Sequence, residues 1–170
     1  MTYIPIGLLA DGHPRRWNSW RENHRGQPIE LDGVNLSGTS LIGADLSAVN
    51  LVRASLADAD LTDVDFYRAY LPGIDLTGAA MSESVCDGTD FTNANLTAAD
   101  LRGANLTNAD LTWANLSHTD FTGANLSGAD LTGTTLDGAI LTSANLDGAN
   151  LTHAGTTHQS VRRVDDAGDR

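Results

Sequence analysis

Five histidines, one cysteine and 22 acidic residues are the side chains of this 170-residue chain with the clearest capacity for chemistry. His13 and His24 lie near the start, His118 falls mid-chain, and His153 and His158 come near the end. No two histidines stand at a helical metal-ligand spacing beside a third ligand, so no metal site is expected. No nucleophile and base are spaced to work together. The acids recur at one repeated position, whereas a catalytic carboxylate pair needs two different environments. These residues lead to the expectation of a non-enzyme that carries no cofactor.

What positions these groups is a repeat. In "ANLTNADLTWANL", residues 104 to 116, leucine recurs every five residues at Leu106, Leu111 and Leu116. From Leu31 to Leu151 the step of five holds for 25 centres without insertion or deletion. Twenty centres are Leu, three are Phe (Phe66, Phe91, Phe121), and Met81 and Cys86 complete the set. Two residues before the centre, 15 of 25 are Ala; directly before it stand ten acids and eight Asn. Directly after it, 15 are Ser or Thr, and Gly is commonest one further on. Cys86, as a centre, is expected to be a small buried hydrophobe.

Neither regular element accepts this period. On a helix, five residues rotate the leucine by about 140°, so no single stripe forms. On a straight strand, an odd step sends successive leucines to opposite faces. The pattern works if the chain bends once per repeat in a constant sense. Leucine and the Ala two before it then point to one axis, the Asp or Asn between them points out, and the Gly slot falls at the corner. Ala at the second inward slot keeps a narrow interior from overfilling. Disordered low-complexity segments lack such spaced large apolar residues.

The tandem A[DN]LXX pattern resembles the pentapeptide-repeat family over about residues 29 to 155. The resemblance implies an all-β solenoid, a right-handed quadrilateral parallel β-helix with four repeats per coil and about six coils. Residues 20 apart would then stack. Asp90, Asp110 and Asp130 would share one face; Asp100 and Asp120 would share the opposite face, with Asp60 two coils below Asp100. Asn95 would stack on Asn115, and Asn105, Asn125 and Asn145 on one another. Stacked Asp side chains place like charges about 4.8 Å apart, so these acids are candidate functional ladders.

The remaining segments are ends. Residues 1–28 form an N-terminal segment in which "DGHPRRWNSWRENHRG" reads as a short helix, with Pro14 in its first turn and Gly26 at its end. Trp17 and Trp20 share a face and are expected to cover the first coil; the alternative is a docking helix using Arg15, Arg16, Arg21 and Arg25. Residues 156–170 read as a flexible C-terminal tail. With nothing there able to cover the last coil, a homodimer through the C-terminal coil is expected.

Formal charge is -12, which excludes direct nucleic-acid binding as the simple reading and favours basic partners. The N-terminal apolar run is short and broken by Pro5, so no signal peptide or transmembrane stretch is expected, and the single cysteine forbids an internal disulfide; a cytoplasmic protein is expected. The N-x-[ST] matches are by-products of the repeat.

Two functions follow as expectations. One is a rod displaying side chains to an unknown protein partner. Its candidate patch is the irregular region with Tyr67, Arg68, Tyr70 and Pro72, with Val52 stacked below Pro72, together with Trp113 at a corner. The other, implied by the family resemblance, is DNA mimicry at gyrase or topoisomerase IV, with modulation of the enzyme or protection from quinolone-type inhibitors. Its candidate residues are Asp60, Asp90, Asp100, Asp110, Asp120 and Asp130.

Overall fold

The computed structural model describes residues 5–155; the expected tail over 156–170 lies outside them. From residue 31 onward every five residues repeat one local structure. The carbonyl of each centre accepts the N–H three residues on, as in Ala44 to Leu41 at 2.9 Å and Ala114 to Leu111 at 2.9 Å. The residue two after each centre has a left-handed φ, whether Gly (Gly103, +68°) or not (Asp58, +56°; Ala98, +58°; Trp113, +61°). One positive φ at that turn position is what a type II turn demands. The Gly-rich slot is therefore the corner.

The turn uses most of the repeat, so only the residue before the centre bridges to a neighbour. Those bridges are parallel and always 20 residues apart, from Glu30 with Asn50 to Thr135 with Gly155. Four five-residue repeats thus close one coil. The described residues form isolated bridges rather than extended strands, because a five-residue side is too short for a longer ladder. Where a coil lies above, the centre N–H donates to it, as in Leu31 to the Asn50 carbonyl at 2.7 Å, and where a coil lies below, the outward residue N–H donates to it, as in Asn50 to Ile29 at 2.9 Å. Backbone polarity is met between coils, as a buried axis requires.

The centres from Leu31 to Leu141 are buried, with the inward Ala residues packed among them; Leu146 and Leu151 are only partly covered. Where Thr replaces the inward Ala, its hydroxyl finds a carbonyl. Thr89 donates to Phe66 and Thr119 to Leu96, both at 2.7 Å. Cys86 is a buried centre, and burial pushes its thiol up to about 12, which fits a core residue and not a nucleophile.

Among the described residues, two helices precede the first coil: α1, Gly7–Ala10, and α2, Pro14–Glu22. The sequence did not announce α1; its one turn buries Leu9 in the core. Helix α2 starts at Pro14 as expected but stops at Glu22, short of Gly26. Its last turn tightens, with the N–H groups of Asn23 and His24 donating three residues back to Trp20 and Arg21, and Asn23 Nδ2 donates to the Ser19 carbonyl at 2.7 Å. Trp17 is buried, while Trp20 lies 5.2 Å from it and stacks on His24.

Candidate interaction surfaces

The twenty-residue register sorts the outward residues onto four sides. The first side reads Glu30, Asn50, Tyr70, Asp90, Asp110, Asp130 and Asn150. The third, opposite, reads Ser40, Asp60, Ala80, Asp100, Asp120 and Ile140. The second and fourth carry Asn95 with Asn115, and Asn105, Asn125 and Asn145. Among the proposed acidic ladders, Asp90, Asp110 and Asp130 are contiguous, as are Asp100 and Asp120; Ala80 separates Asp60 from Asp100.

Each of these carboxylates first serves its own turn. Oδ1 of Asp60, Asp90, Asp100, Asp110, Asp120 and Asp130 accepts the backbone N–H two residues on at 2.8–3.2 Å. Asn does the same, as in Thr97 N–H to Asn95 at 3.2 Å. Asp and Asn are therefore interchangeable for the turn and differ in the outer atom. Asn Nδ2 donates to a Thr hydroxyl of the coil below: Asn95 to Thr77, Asn125 to Thr107 and Asn150 to Thr132, at 2.8–2.9 Å. An Asp outer oxygen has no proton to donate, so it points its charge outward. Sequence reasoning saw Asp against Asn but missed this division of labour; the Ser or Thr recurring two residues after it was the available signal.

Local partners shift several acids. The Thr132 hydroxyl and backbone hold the Asp130 carboxyl below its ordinary value. The Arg102 guanidinium does so for Asp100, gripping it with Nε at 2.8 Å and Nη2 at 2.6 Å. Burial pushes Asp45 up, but hydrogen bonds from Ser47 and the charge of Arg21 outweigh it and leave it lowered. Asp100 is thus already paired, while on the first side Thr112 and Thr132 fill the slot that Arg102 occupies on the third.

The aromatic residues fall in two places. Tyr70 is 52% exposed on the first side, bridged to Asn50 below and Asp90 above. Val52 and Pro72 are half-buried beside it, with Arg53 N–H donating to the Pro72 carbonyl. Tyr67 is 39% exposed on the adjoining fourth side, and the Arg68 guanidinium at the corner between them sits 5.0 Å over its ring. These five form one neighbourhood. Trp113 is not part of it: it stands two coils on, at the other edge of the first side, in the corner column of Gly73, Asn93 and Gly133. It is 62% exposed and lies over Gly133, where an added Cβ would overlap the indole. The exposed Ile42 and Ile140 were overlooked in the sequence; both sit in outward slots that mostly hold polar residues.

Helix α2 meets the fourth side. Trp17 Nε1 donates to the Asp45 carbonyl at 2.7 Å, Asn18 accepts from Asp45 N–H and donates to the Gly43 carbonyl, both at 2.8 Å, and Arg21 Nη2 donates to the Ser47 carbonyl at 2.6 Å. The Asp45 N–H and carbonyl and the Ser47 carbonyl are edge groups that a preceding coil would otherwise engage. Among the described residues, no helix is long and apolar enough to cross a membrane.

The family pattern described as pentapeptide repeats (8 copies) matches residues 29–67, 59–97, 84–123 and 119–154. No curated protein sequence matches the chain. Among solved structures, trypsin-treated QnrB1, a plasmid-mediated fluoroquinolone resistance protein, is 22% identical, covers 76% of this chain and 77% of its own, and superposes with a TM-score of 0.57. HetL, a pentapeptide repeat protein involved in heterocyst differentiation regulation from the cyanobacterium Nostoc, is 24% identical over 82% of this chain and 94% of its own, with a TM-score of 0.36. A pentapeptide repeat protein from the Arabidopsis thaliana thylakoid lumen is 37% identical over 66% of this chain and 70% of its own, with a TM-score of 0.25. The repeat match and the likeness to QnrB1 give the rod its shape and hand, a right-handed quadrilateral β-helix.

Proposed function

The chain belongs to the pentapeptide-repeat family, whose members are generally non-enzymatic structural or interaction modules, and we propose that it is an acidic rod that binds a protein partner along its first side. The rod has about six coils, and α2 closes its N-terminal end as a lid. The observation that carries this reading is the line Tyr70, Asp90, Asp110, Asp130 on one side of the rod. It joins an exposed aromatic patch to three consecutive carboxylates whose outer oxygens face outward. Aromatic residues with Arg, here Tyr67, Tyr70 and Arg68, are the types that dominate interface energetics. The partner's surface is basic, because residues 29–155 hold 17 acids against Arg53, Arg68 and Arg102, a net of -14. The test is capture of a partner by the wild-type chain and by Tyr67→Ala/Tyr70→Ala. Capture that is indifferent to both substitutions would remove this patch from the interface.

A second reading rests on that charge density. Over a rod roughly 30 Å long, -14 is about one charge per 2 Å, near the one per 1.7 Å of duplex DNA. Opposite sides carry Asp90–Asp110–Asp130 and Asp100–Asp120, although Arg102 offsets Asp100. QnrB1 is a fluoroquinolone resistance protein, and DNA mimicry at gyrase or topoisomerase IV is the matching mechanism. A supercoiling assay with and without a quinolone decides it. No effect at micromolar protein would rule out gyrase, whereas inhibition relieved by Asp90→Asn/Asp110→Asn/Asp130→Asn would support it. We propose also that two chains pair through their C-terminal coils, where Leu146 and Leu151 are only partly covered. A strict monomer in light scattering at high concentration would refute that pairing.

A further inference from the structure

Trp113 is the largest departure from the repeat that neither the turn nor the core explains. It occupies a corner slot with φ +61°, where twelve of the 25 repeats place Gly. A bulky side chain held in that region is uncommon and carries a conformational cost. Its indole is nonetheless held in place. The inner face rests on Gly133, which has no Cβ to displace it, while the backbone N–H of Trp113 makes the ordinary corner bond to the Thr132 carbonyl at 2.9 Å. The outer face is open, and Trp113 is the most exposed of the large apolar residues among those described.

The surroundings select what can use that face. Residues 91–155 contain six Asp and a single Arg, Arg102, which is already committed to Asp100. An aromatic face in a field of carboxylates attracts a cation. The same scaffold shows both halves of such a contact with its own residues. Arg68 lies over the Tyr67 ring, and Arg102 forks onto Asp100, a carboxylate in the same register as Asp110 and Asp130. On the first side, Thr112 and Thr132 stand where Arg102 stands on the third. Among the described residues, no arginine forms an ion pair with Asp110 or Asp130.

Resting on the reading of the rod as a protein-interaction module, we infer that Trp113 anchors an arginine of a basic partner segment. The guanidinium stacks on the outer face of the indole and reaches the outer carboxylate oxygens of Asp110 and Asp130. Arginine is favoured over lysine because a planar guanidinium can stack and fork at once, whereas an ammonium is a compact, strongly hydrated point charge. The preformed seat on Gly133 limits the ordering cost of the contact.

The test uses the full chain and a labelled Gly-Arg-Gly-Arg-Gly-Arg-Gly peptide, followed by fluorescence anisotropy, with Lys and Glu counterparts. The Arg peptide should bind more tightly than the Lys peptide, the Glu peptide should not bind, and salt should weaken binding. Trp113→Gly should weaken Arg-peptide binding about tenfold while the far-UV spectrum is kept and melting is no lower than in the wild type. Trp113→His is a second variant, with a residue that His118 and His153 already place in the same slot at φ +60° and +59°; it should also lose the Arg preference. Asp110→Asn/Asp130→Asn should weaken binding with the indole unchanged. Equal Arg and Lys binding, binding unchanged in a folded Trp113 variant, or no Arg-peptide binding would each overturn the inference. If the inference fails while partner capture still depends on Tyr67 and Tyr70, the interaction-module reading survives without it.

Discussion

Each outward Asp has two oxygens with different duties. Oδ1 closes the turn by accepting the N–H two residues on, and Oδ2 carries the charge outward. Asp130 illustrates the balance. Its hydrogen bonds from Thr132 lower its pKa in the folded state. Such a group contributes stability that is present above the unfolded value of about 3.9 and is lost as pH falls through the folded value. Asp45 and Asp100 are shifted in the same direction. Urea melts should therefore show stability falling below about pH 4. Asp130→Asn keeps the turn bond, removes one like-charge neighbour of Asp110, and adds a donor placed as Asn150 is over Thr132. It should be at least as stable as the wild type at pH 7 and lose less stability on acidification. A marked loss at pH 7 would mean that the charge itself supports the fold.

At the level of the element, the repeating unit is a turn with a one-residue bridge attached. The left-handed corner is fixed by the backbone whatever side chain stands there. Thirteen of the 25 corners are not Gly, and they differ in how well they tolerate it. Asn93 and Asn108 are comparatively suited to that region; Ala98, at φ +58°, has no compensating side-chain bond. Ala98→Gly should raise stability by about 1 kcal/mol, read as a higher urea midpoint with an unchanged slope. Gly133→Ala should do the reverse, because its φ is +69° and the Trp113 indole occupies the space of the new Cβ. A stabilising Gly133→Ala would show that the indole is not seated there in solution. Helix α2 follows different rules. Trp17, Asn18 and Arg21 engage the Asp45, Gly43 and Ser47 backbone with side chains instead of a strand.

For the whole molecule, depth in the stack decides what a residue is worth. Leu111 and Leu146 are both centres with Ala at the second inward slot, in the repeats "ADLTW" and "ANLDG". Leu111 has coils above and below and is fully buried, while Leu146 is only partly covered. Leu111→Ala should cost about 2–5 kcal/mol, as large-to-small core changes do, whereas Leu146→Ala should cost on the order of 1 kcal/mol. Equal losses, measured by urea unfolding at low protein concentration, would mean that the last coil is covered in solution.

Much of this was legible in the residues themselves. A period of five is incompatible with a straight helix or strand, so it forces one bend per repeat. That alone placed Leu106, Leu111 and Leu116 inside with Ala104, Ala109 and Ala114, put Asn105, Asp110 and Asn115 outside, and put the Gly slot at the corner. Helix α2 was legible from Pro14 and the Trp17–Trp20 spacing. Its early stop and the single turn of α1 were not, because a few local hydrogen bonds and the burial of Leu9 settled them. The number of bends that close a coil is not contained in the period; the expectation of four came from the family resemblance. The closure at 20 residues, visible only in the bridges, determines which outward letters meet. It brings Tyr70 beneath Asp90, lays Trp113 on Gly133, and separates Trp113 from the tyrosine patch with which the sequence grouped it. The physical reason is that burial depends on each repeat by itself, whereas a surface is made by residues 20 apart, whose proximity exists only once the chain has wound.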